Sequence, residues 1–312
     1  MFFLKNAEVI RNDRVGDGLY ELEFRAPQIA SHGEPGQFIH VEVKPHPAES
    51  LSPLLRRPFS LYGVDSRQGA ISILYRIRGL GTSILARAKP GECLSVLGPL
   101  GRGFTLPAKE SVTLLVGGGM GIAPLVYLAD CLTRLSCKVT VLYGAETASE
   151  LVALEKLEQK EVKCHVATMD GSKGYEGFVT DLLTCVHAGE SASMSIEKQA
   201  DLLSGSPGES HTLSSGRTLS DREANDIHRQ PDIIYSCGPL EMMAHVARFA
   251  DERGIPGEVS LESNMACGVG VCLGCALKLK GGNAGYAKVC SDGPVFPMDR
   301  VEFTVGEEAR LQ

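Results

Sequence analysis

The sequence has no apolar run as long as a membrane span and no clustered excess of basic residues. A spanning helix needs about 20 apolar residues, so we expect no membrane span. Binding of nucleic-acid phosphates needs clustered Lys and Arg, so the net charge of −7 argues against a nucleic-acid partner. Charge enters the chain early, at Lys5 and Glu8, and we therefore expect no signal peptide.

Cysteine, by contrast, is plentiful, with 10 in 312 residues. Four lie in a C-terminal cluster, and the other six lie in segments that resemble core strands and helices. Those six are Cys93, Cys131, Cys137, Cys164, Cys185 and Cys237. Buried free cysteines are typical of a reducing compartment, so we expect a cytoplasmic protein without a disulfide framework.

The pattern along the chain predicts a multidomain protein. Residues 1–106 contain short alternating strands between Gly and Pro turns, which is typical of an antiparallel β-barrel. Residues 107–259 contain near-continuous apolar strands separated by helical stretches, which predicts an α/β domain with a doubly wound parallel sheet. Within it, residues 187–230 are rich in Ser, Gly, Glu and Asp, and we expect a flexible surface insertion there.

The last predicted domain, residues 260–312, is too short for an apolar core of its own, so a metal cluster would supply the missing constraint. Its cysteines have C-x4-C-x2-C…C spacing, which is the spacing of a plant-type [2Fe–2S] cluster. The four predicted ligands are Cys267, Cys272, Cys275 and Cys290. We expect the intervening Gly268, Gly270 and Gly274 to adopt unusual backbone angles that direct peptide N–H groups at the sulfurs.

Structural zinc is the alternative occupant of this segment. Zinc sites built from four thiolates usually draw two C-x2-C pairs from two separate knuckles. Here three cysteines share one Gly-rich loop and the fourth stands alone, which favours iron–sulfur.

A second group of residues lies in the predicted barrel: Arg57–Ser60 at the start of a strand, residues 74–76 in another, and Gly81 and Thr82 at a helix start. Two guanidinium groups and the N–H groups of the helix start could hold a pyrophosphate. A Pro-containing turn followed by an ordinary capped helix would have the same sequence, and the spacing leaves both interpretations open.

Two glycine turns follow strands of the predicted parallel sheet. Residues 117–121 lie between a buried strand and a helix, where dinucleotides bind, and residues 237–239 end another strand. The carboxyl ends of parallel strands share one edge, so these turns predict a nucleotide crevice. Glu146, after the next strand, could accept a hydrogen bond from a ribose hydroxyl and favour NAD over NADP, or it could be a solvated acid at a helix start.

Taken together, these motifs resemble a known family. Arg57–Ser60 resembles the R-x-[YF]-[ST] flavin signature of the ferredoxin–NADP reductase superfamily, and residues 118–124 resemble its nicotinamide turn. The cysteine cluster with residues 286–296 narrows the resemblance to the electron-transfer subunits of class 1B dihydroorotate dehydrogenase. The residues implied for FAD are Arg57, Pro58, Phe59, Ser60, Leu74, Tyr75, Arg76, Gly81 and Thr82. Those implied for NAD(H) are Gly118, Gly119, Gly121, Pro124, Cys237, Gly238 and Pro239.

The same resemblance implies a partner, namely an FMN-containing catalytic subunit that interconverts dihydroorotate and orotate, in a heterotetramer with two copies of each subunit. This chain would then have no catalytic residue for dihydroorotate and would only transfer electrons. One alternative is a related reductase subunit of the sulfide dehydrogenase or NADH-dependent ferredoxin:NADP oxidoreductase type, although the complete set of four cysteines favours the first. A flavin-free scaffold with structural zinc is the non-enzymatic alternative.

Overall fold

The computed structural model describes residues 2–43, 53–160, 162–183, 230–280 and 285–303. These residues form two seven-stranded sheets and a two-stranded hairpin. The predicted insertion at 187–230 lies outside the described residues except for Gln230. None of the described helices has the length and apolar character needed to cross a membrane.

The first sheet is antiparallel throughout, as predicted for the N-terminal region. Its strands are paired in the order β4-β3-β7-β1-β2-β6-β5. They are β1 (Phe3–Gly16), β2 (Leu19–Arg25), β3 (Phe38–Val41), β4 (Arg57–Ser60), β5 (Gly63–Asp65), β6 (Ala70–Arg76) and β7 (Cys93–Leu100). Two short helices accompany them, α1 (Pro27–Ala30) and α2 (Leu80–Leu85). One face buries an aliphatic and aromatic core that includes Leu22, Phe24, Ile39 and Ile73.

The second sheet contains the predicted parallel strands. They are β8 (Val112–Gly118), β9 (Lys138–Ala145), β10 (Lys163–Thr168), β11 (Tyr175–Glu176), β12 (Ile233–Cys237) and β13 (Gly257–Ser260). Its described helices are α3 (Ile122–Arg134), α4 (Leu154–Glu158) and α5 (Leu240–Glu252). In β8, Leu114 packs in one core cluster and Leu115 in another. The strand is therefore buried on both faces, which explains its near-continuous apolar sequence.

The parallel strands of this sheet lie in the order β11-β10-β9-β8-β12-β13, and the direction in which successive strands are added reverses at β8. The chain first moves outward from β8 to β9 and β10, and then returns to the other side of β8 with β12. In open α/β sheets, ligands bind outside the carboxyl ends of the strands at such a reversal. The fold therefore places the candidate nucleotide turns after β8 and β12 at the expected edge.

The C-terminal segment is joined to the second sheet. Its hairpin consists of β14 (Ala276–Lys278) and β15 (Tyr286–Lys288), and its last strand, β16 (Val295–Pro297), pairs antiparallel with β13. Val289 and Phe296 belong to the same core cluster as Leu114 and Val259 of the parallel sheet. The segment thus shares a core with its neighbour, consistent with its short length. The domain boundaries after residues 106 and 259 stay predictions.

Candidate functional site

The four cysteines predicted to hold the cluster lie together, next to the β14–β15 hairpin. Peptide N–H groups of the loop point at their sulfurs, as the glycine-rich sequence predicts. Cys267 Sγ accepts from the N–H groups of Val269, Val271 and Cys272 at 3.5, 3.4 and 3.4 Å. Cys290 Sγ accepts from Gly270 N–H at 3.2 Å, across the loop. Such hydrogen bonds stabilise negative charge on sulfur and help to set the potential of a bound cluster.

The thiols are arranged as two pairs. The N–H of Cys272 donates to Cys267 Sγ, and the N–H of Cys290 donates to Cys275 Sγ, each at 3.4 Å. Across the part of the chain that the structure describes, no three His, Cys, Asp or Glu side chains surround one point suited to a single metal ion. A [2Fe–2S] cluster has two irons and four thiolate ligands, so two pairs of thiols are an arrangement that fits it.

The two pairs differ in environment. Cys275 and Cys290 are buried, whereas Cys267 is half-buried and Cys272 exposed. Burial opposes ionisation of Cys267, but the three N–H groups outweigh it and lower the pKa of this thiol to about 6. Burial and the neighbouring Cys275 raise the pKa of Cys290 to about 12. The Cys267 thiol is therefore largely ionised at neutral pH, while the Cys290 thiol would have to release a proton on binding metal.

The backbone of the loop differs from expectation at one residue. Gly268 and Gly270 have φ of 69° and 80°, as predicted, but Gly274 is not in the left-handed region. Leu273, with φ of 61°, occupies that conformation instead. With Leu273 in this conformation, the N–H of Gly274 points at Cys272 Sγ, 3.4 Å away. A leucine in this region is uncommon, and nothing in the residue pattern singled it out.

His40 on β3 is a further candidate residue that no motif in the sequence indicates. It is completely buried, and neither ring nitrogen has a hydrogen-bond partner among the described residues. Burial and then the nearby Arg56 guanidinium lower the pKa of His40 to about 4, so the ring is neutral at pH 7. The alternating sequence around His40 suggests an outward-facing polar residue. In the structure the outer face of β3 is covered, and all four residues of the strand are buried.

The residues implied for FAD are brought together on the first sheet. The Arg57 guanidinium lies over the start of α2, where a Cβ on Gly81 would be 2.9 Å from Nε. Phe59 and Tyr75 are in contact, with ring centroids 5.7 Å apart. The Thr82 hydroxyl accepts from Arg78 N–H at 2.9 Å and so secures the turn before α2.

Arg76 connects this group to the second sheet. Its Nη2 is 2.8 Å from Glu150 Oε1, which lies in a short 3-10 turn after β9. Its Nε is buried without a hydrogen-bond partner in the described structure. A buried donor of this kind costs about 1–3 kcal/mol when unsatisfied, so it fits an anionic ligand such as a diphosphate.

The two glycine turns of the second sheet interlock. A Cβ on Gly121 would collide with the Cys237 carbonyl, and one on Gly238 would be 2.9 Å from Gly118 N. Pro124 is buried in the first turn of α3, and Pro239 precedes α5. Gly119, by contrast, has no atom near its Cβ position and faces open space. Burial raises the pKa of the Cys237 thiol, so this residue contributes its backbone rather than a reactive sulfur.

Glu146 is exposed and follows β9, next to β8. This is the strand end at which dinucleotide folds place an acid for the ribose. Its role in choosing NAD stays a prediction.

The fold and the site together define a class of protein: a ferredoxin-reductase-like fold followed by an iron–sulfur segment. The solved structure of an NADH-dependent reduced ferredoxin–NADP oxidoreductase has this fold, with a TM-score of 0.71 and 24% identity over 96% of this chain and 90% of that one. The family model for the iron–sulfur cluster binding domain of dihydroorotate dehydrogenase B matches residues 262–302.

Relatives with similar sequences identify the family within this class. An electron transfer subunit of dihydroorotate dehydrogenase B (NAD(+)) from Desulforamulus reducens is 36% identical over 94% of this chain and 95% of its own length. The same subunit from Geobacillus kaustophilus is 37% identical over 90% and 92%. The chain belongs to the family of dihydroorotate dehydrogenase B electron transfer subunits.

Proposed function

We propose that this chain passes electrons between NAD(H) and the FMN of a dihydroorotate dehydrogenase catalytic subunit. The carrying observation is that the sulfurs of all four cysteines accept hydrogen bonds from peptide N–H groups, in a chain whose relatives bear the name of that activity. When bound, FAD exchanges a hydride with nicotinamide and the cluster exchanges single electrons. The names of the relatives do not favour the sulfide dehydrogenase and ferredoxin:NADP alternatives.

FAD would bind on the first sheet, which we propose closes into a barrel around its apolar core. Arg57 would place its guanidinium beside the start of α2, and the unpaired Nε of Arg76 would donate to the diphosphate. The ion pair between Arg76 and Glu150 would hold that diphosphate site against the nucleotide sheet.

NAD(H) would bind in the crevice between the β8 and β12 turns. Their close backbone contact fixes the shape of the crevice, and the open face at Gly119 leaves room for the nucleotide. The backbone after β12, at residues 237–239, would orient the nicotinamide. Glu146 would accept from the ribose and disfavour a 2′-phosphate.

The catalytic partner would dock on the cluster loop, which we define as residues 267–275. Val271 and Leu273 are 78% and 64% exposed although they lie between cluster ligands, and Tyr286 on the hairpin is 71% exposed. Apolar and aromatic side chains exposed in one area are typical of a protein interface. A complex with two copies of each subunit follows from the family resemblance. The described cysteines are all free, which supports a cytoplasmic location.

Co-expression with an FMN-dependent dihydroorotate dehydrogenase tests the proposal. We expect the two chains to co-purify, with flavin absorption and a rhombic S = ½ EPR signal after dithionite reduction, and the complex to form NADH from dihydroorotate and NAD⁺. A colourless chain would support the zinc scaffold instead. A chain that contains flavin and cluster but neither associates nor forms NADH would contradict the choice of partner.

A further inference from the structure

The buried ring of His40 has polar atoms that the described protein does not satisfy. Both Nδ1 and Nε2 lack a hydrogen-bond partner there, and the side chain is 0% exposed. Buried polar groups in native proteins are nearly always paired, and each exception calls for an explanation such as a bound ligand. An apolar side chain would fill the same space without the free-energy cost of burying two unpaired ring nitrogens.

The position of His40 in β3 shows on which face of the first sheet its side chain lies. It pairs with Pro58 on β4, and Phe38, two residues earlier, pairs with Ser60. Side chains alternate along a strand, so Phe38 and His40 share one face while Ile39 packs into the core of the first sheet. Phe38 belongs to the core cluster that contains Cys275 and Cys290. His40 therefore faces the iron–sulfur segment from the strand next to the flavin signature.

The ring of His40 also contacts the cluster loop. A Cβ on Gly268 would be 2.5 Å from Cε1, 2.6 Å from Nδ1 and 3.0 Å from Nε2 of His40. Gly268 follows the ligand Cys267 and has a φ of 69°, so two separate constraints act on this position. The loop can pass this close to the imidazole only because the residue is glycine.

We propose that His40 is a positioning and tuning residue for the [2Fe–2S] cluster, to which its ring N–H donates a hydrogen bond at a sulfur atom. The inference rests on the proposed function, since it requires the cluster. A hydrogen bond to sulfur stabilises the reduced, more negatively charged cluster and raises its potential. Located on a flavin-side strand, His40 would also fix the cluster loop against the first sheet.

Variants of His40 separate a hydrogen bond from packing. His40→Phe keeps an aromatic ring without polar atoms, and His40→Leu removes the ring as well. His40→Asn retains an amide N–H near the position of Nδ1. His32→Phe is the matched control, because His32 is an exposed histidine of the same sheet region. Each variant is purified with its cofactors, and the potentials of the cluster and the flavin are measured by EPR-monitored and optical redox titration.

We expect His40→Phe and His40→Leu to lower the equilibrium constant for one-electron reduction of the cluster about tenfold. This corresponds to a decrease of about 59 mV in the reduction potential of the cluster. The flavin potential should not change, His40→Asn should recover most of the loss, and His32→Phe should match wild type. Loading of the cluster in the Asn variant but in neither apolar variant would also support the proposal.

Three results would overturn it: an unchanged cluster potential in the Phe and Leu variants, a shift confined to the flavin, or loss of the cluster in all three His40 variants. Absence of a cluster signal from wild type would instead overturn the proposed function, so the two failures are distinguishable.

Discussion

The nucleotide turns and the cluster loop are both rich in glycine, but they use it for different purposes. At Gly121 the absence of a side chain lets two backbones touch, because the Cys237 carbonyl occupies the space of a Cβ. In the cluster loop, Gly268 and Gly270 provide left-handed backbone conformations that turn N–H groups toward sulfur. One region is held by packing within the protein, and the other is organised around a group that the protein must bind.

This difference predicts how each region responds to the loss of its ligand. The β8 and β12 turns lie on a parallel sheet that is buried on both faces, so their shape does not depend on a ligand. The cluster loop has exposed apolar residues and a two-stranded hairpin beside it, and hairpins of that size are only marginally stable alone. Metal binding should therefore matter more to the loop than to the nucleotide crevice.

The largest expected effect comes from removing one cluster ligand. We expect Cys272→Ala to abolish the cluster while FAD stays bound, because the implied flavin residues lie on the first sheet. Iron content, the EPR signal and flavin absorption of the purified chain measure this. Cys93→Ala is the control, since Cys93 is an exposed cysteine on β7 outside the cluster. Loss of flavin together with iron would indicate that the two regions are not independent.

Two glycine substitutions, one in each region, are expected to change the stability of the protein by an intermediate amount. Gly121→Ala would force a methyl group against the Cys237 carbonyl, and such overpacking costs about 1–3 kcal/mol of unfolding free energy. Gly274→Ala should cost much less, since its Cβ would meet only Cys272 Sγ, at 3.5 Å. Denaturant titration and NADH binding measure both variants. Equal destabilisation by the two substitutions would contradict this difference between the nucleotide turns and the cluster loop.

The smallest effect concerns the thiols of the iron-free protein. A pKa of about 6 makes Cys267 mostly thiolate above pH 6 and mostly thiol below it, and only the thiolate reacts with iodoacetamide. We expect alkylation of Cys267 to be about tenfold faster near pH 7.5 than near pH 5, in proportion to its thiolate fraction. Cys290, with a pKa of about 12, should stay unmodified at both values. Peptide mass spectrometry resolves the two sites, and a faster reaction at Cys290 would contradict the assignment.

The sequence predicted the parts of the site that depend on local spacing. Four cysteines at characteristic intervals were enough to predict the iron–sulfur segment, which the family model matches. The two glycine turns follow buried strands as expected, and nucleotide binding between them stays a prediction. The antiparallel and parallel sheets followed from alternating and continuous apolar patterns. These features could be predicted because each is encoded within a few neighbouring residues.

Contacts between distant segments could not be predicted in this way. His40 and Gly268 are far apart in the chain, and their contact depends on how the cluster loop covers the outer face of β3. The ion pair between Arg76 and Glu150 likewise connects two sheets. The left-handed backbone of Leu273 could not be predicted, because leucine as a residue type does not favour that conformation. Neither periodicity nor motif spacing contains this information.

In the proposed function, electrons leave the flavin through the cluster. The most direct test uses the Cys272→Ala variant in complex with the proposed FMN-containing catalytic subunit, and follows the NADH-driven reduction of that FMN by stopped-flow absorbance. The account predicts that NADH still reduces the FAD of this chain while reduction of the partner's FMN is lost. Reduction of that FMN at the wild-type rate, in a variant shown to lack the cluster, would contradict it.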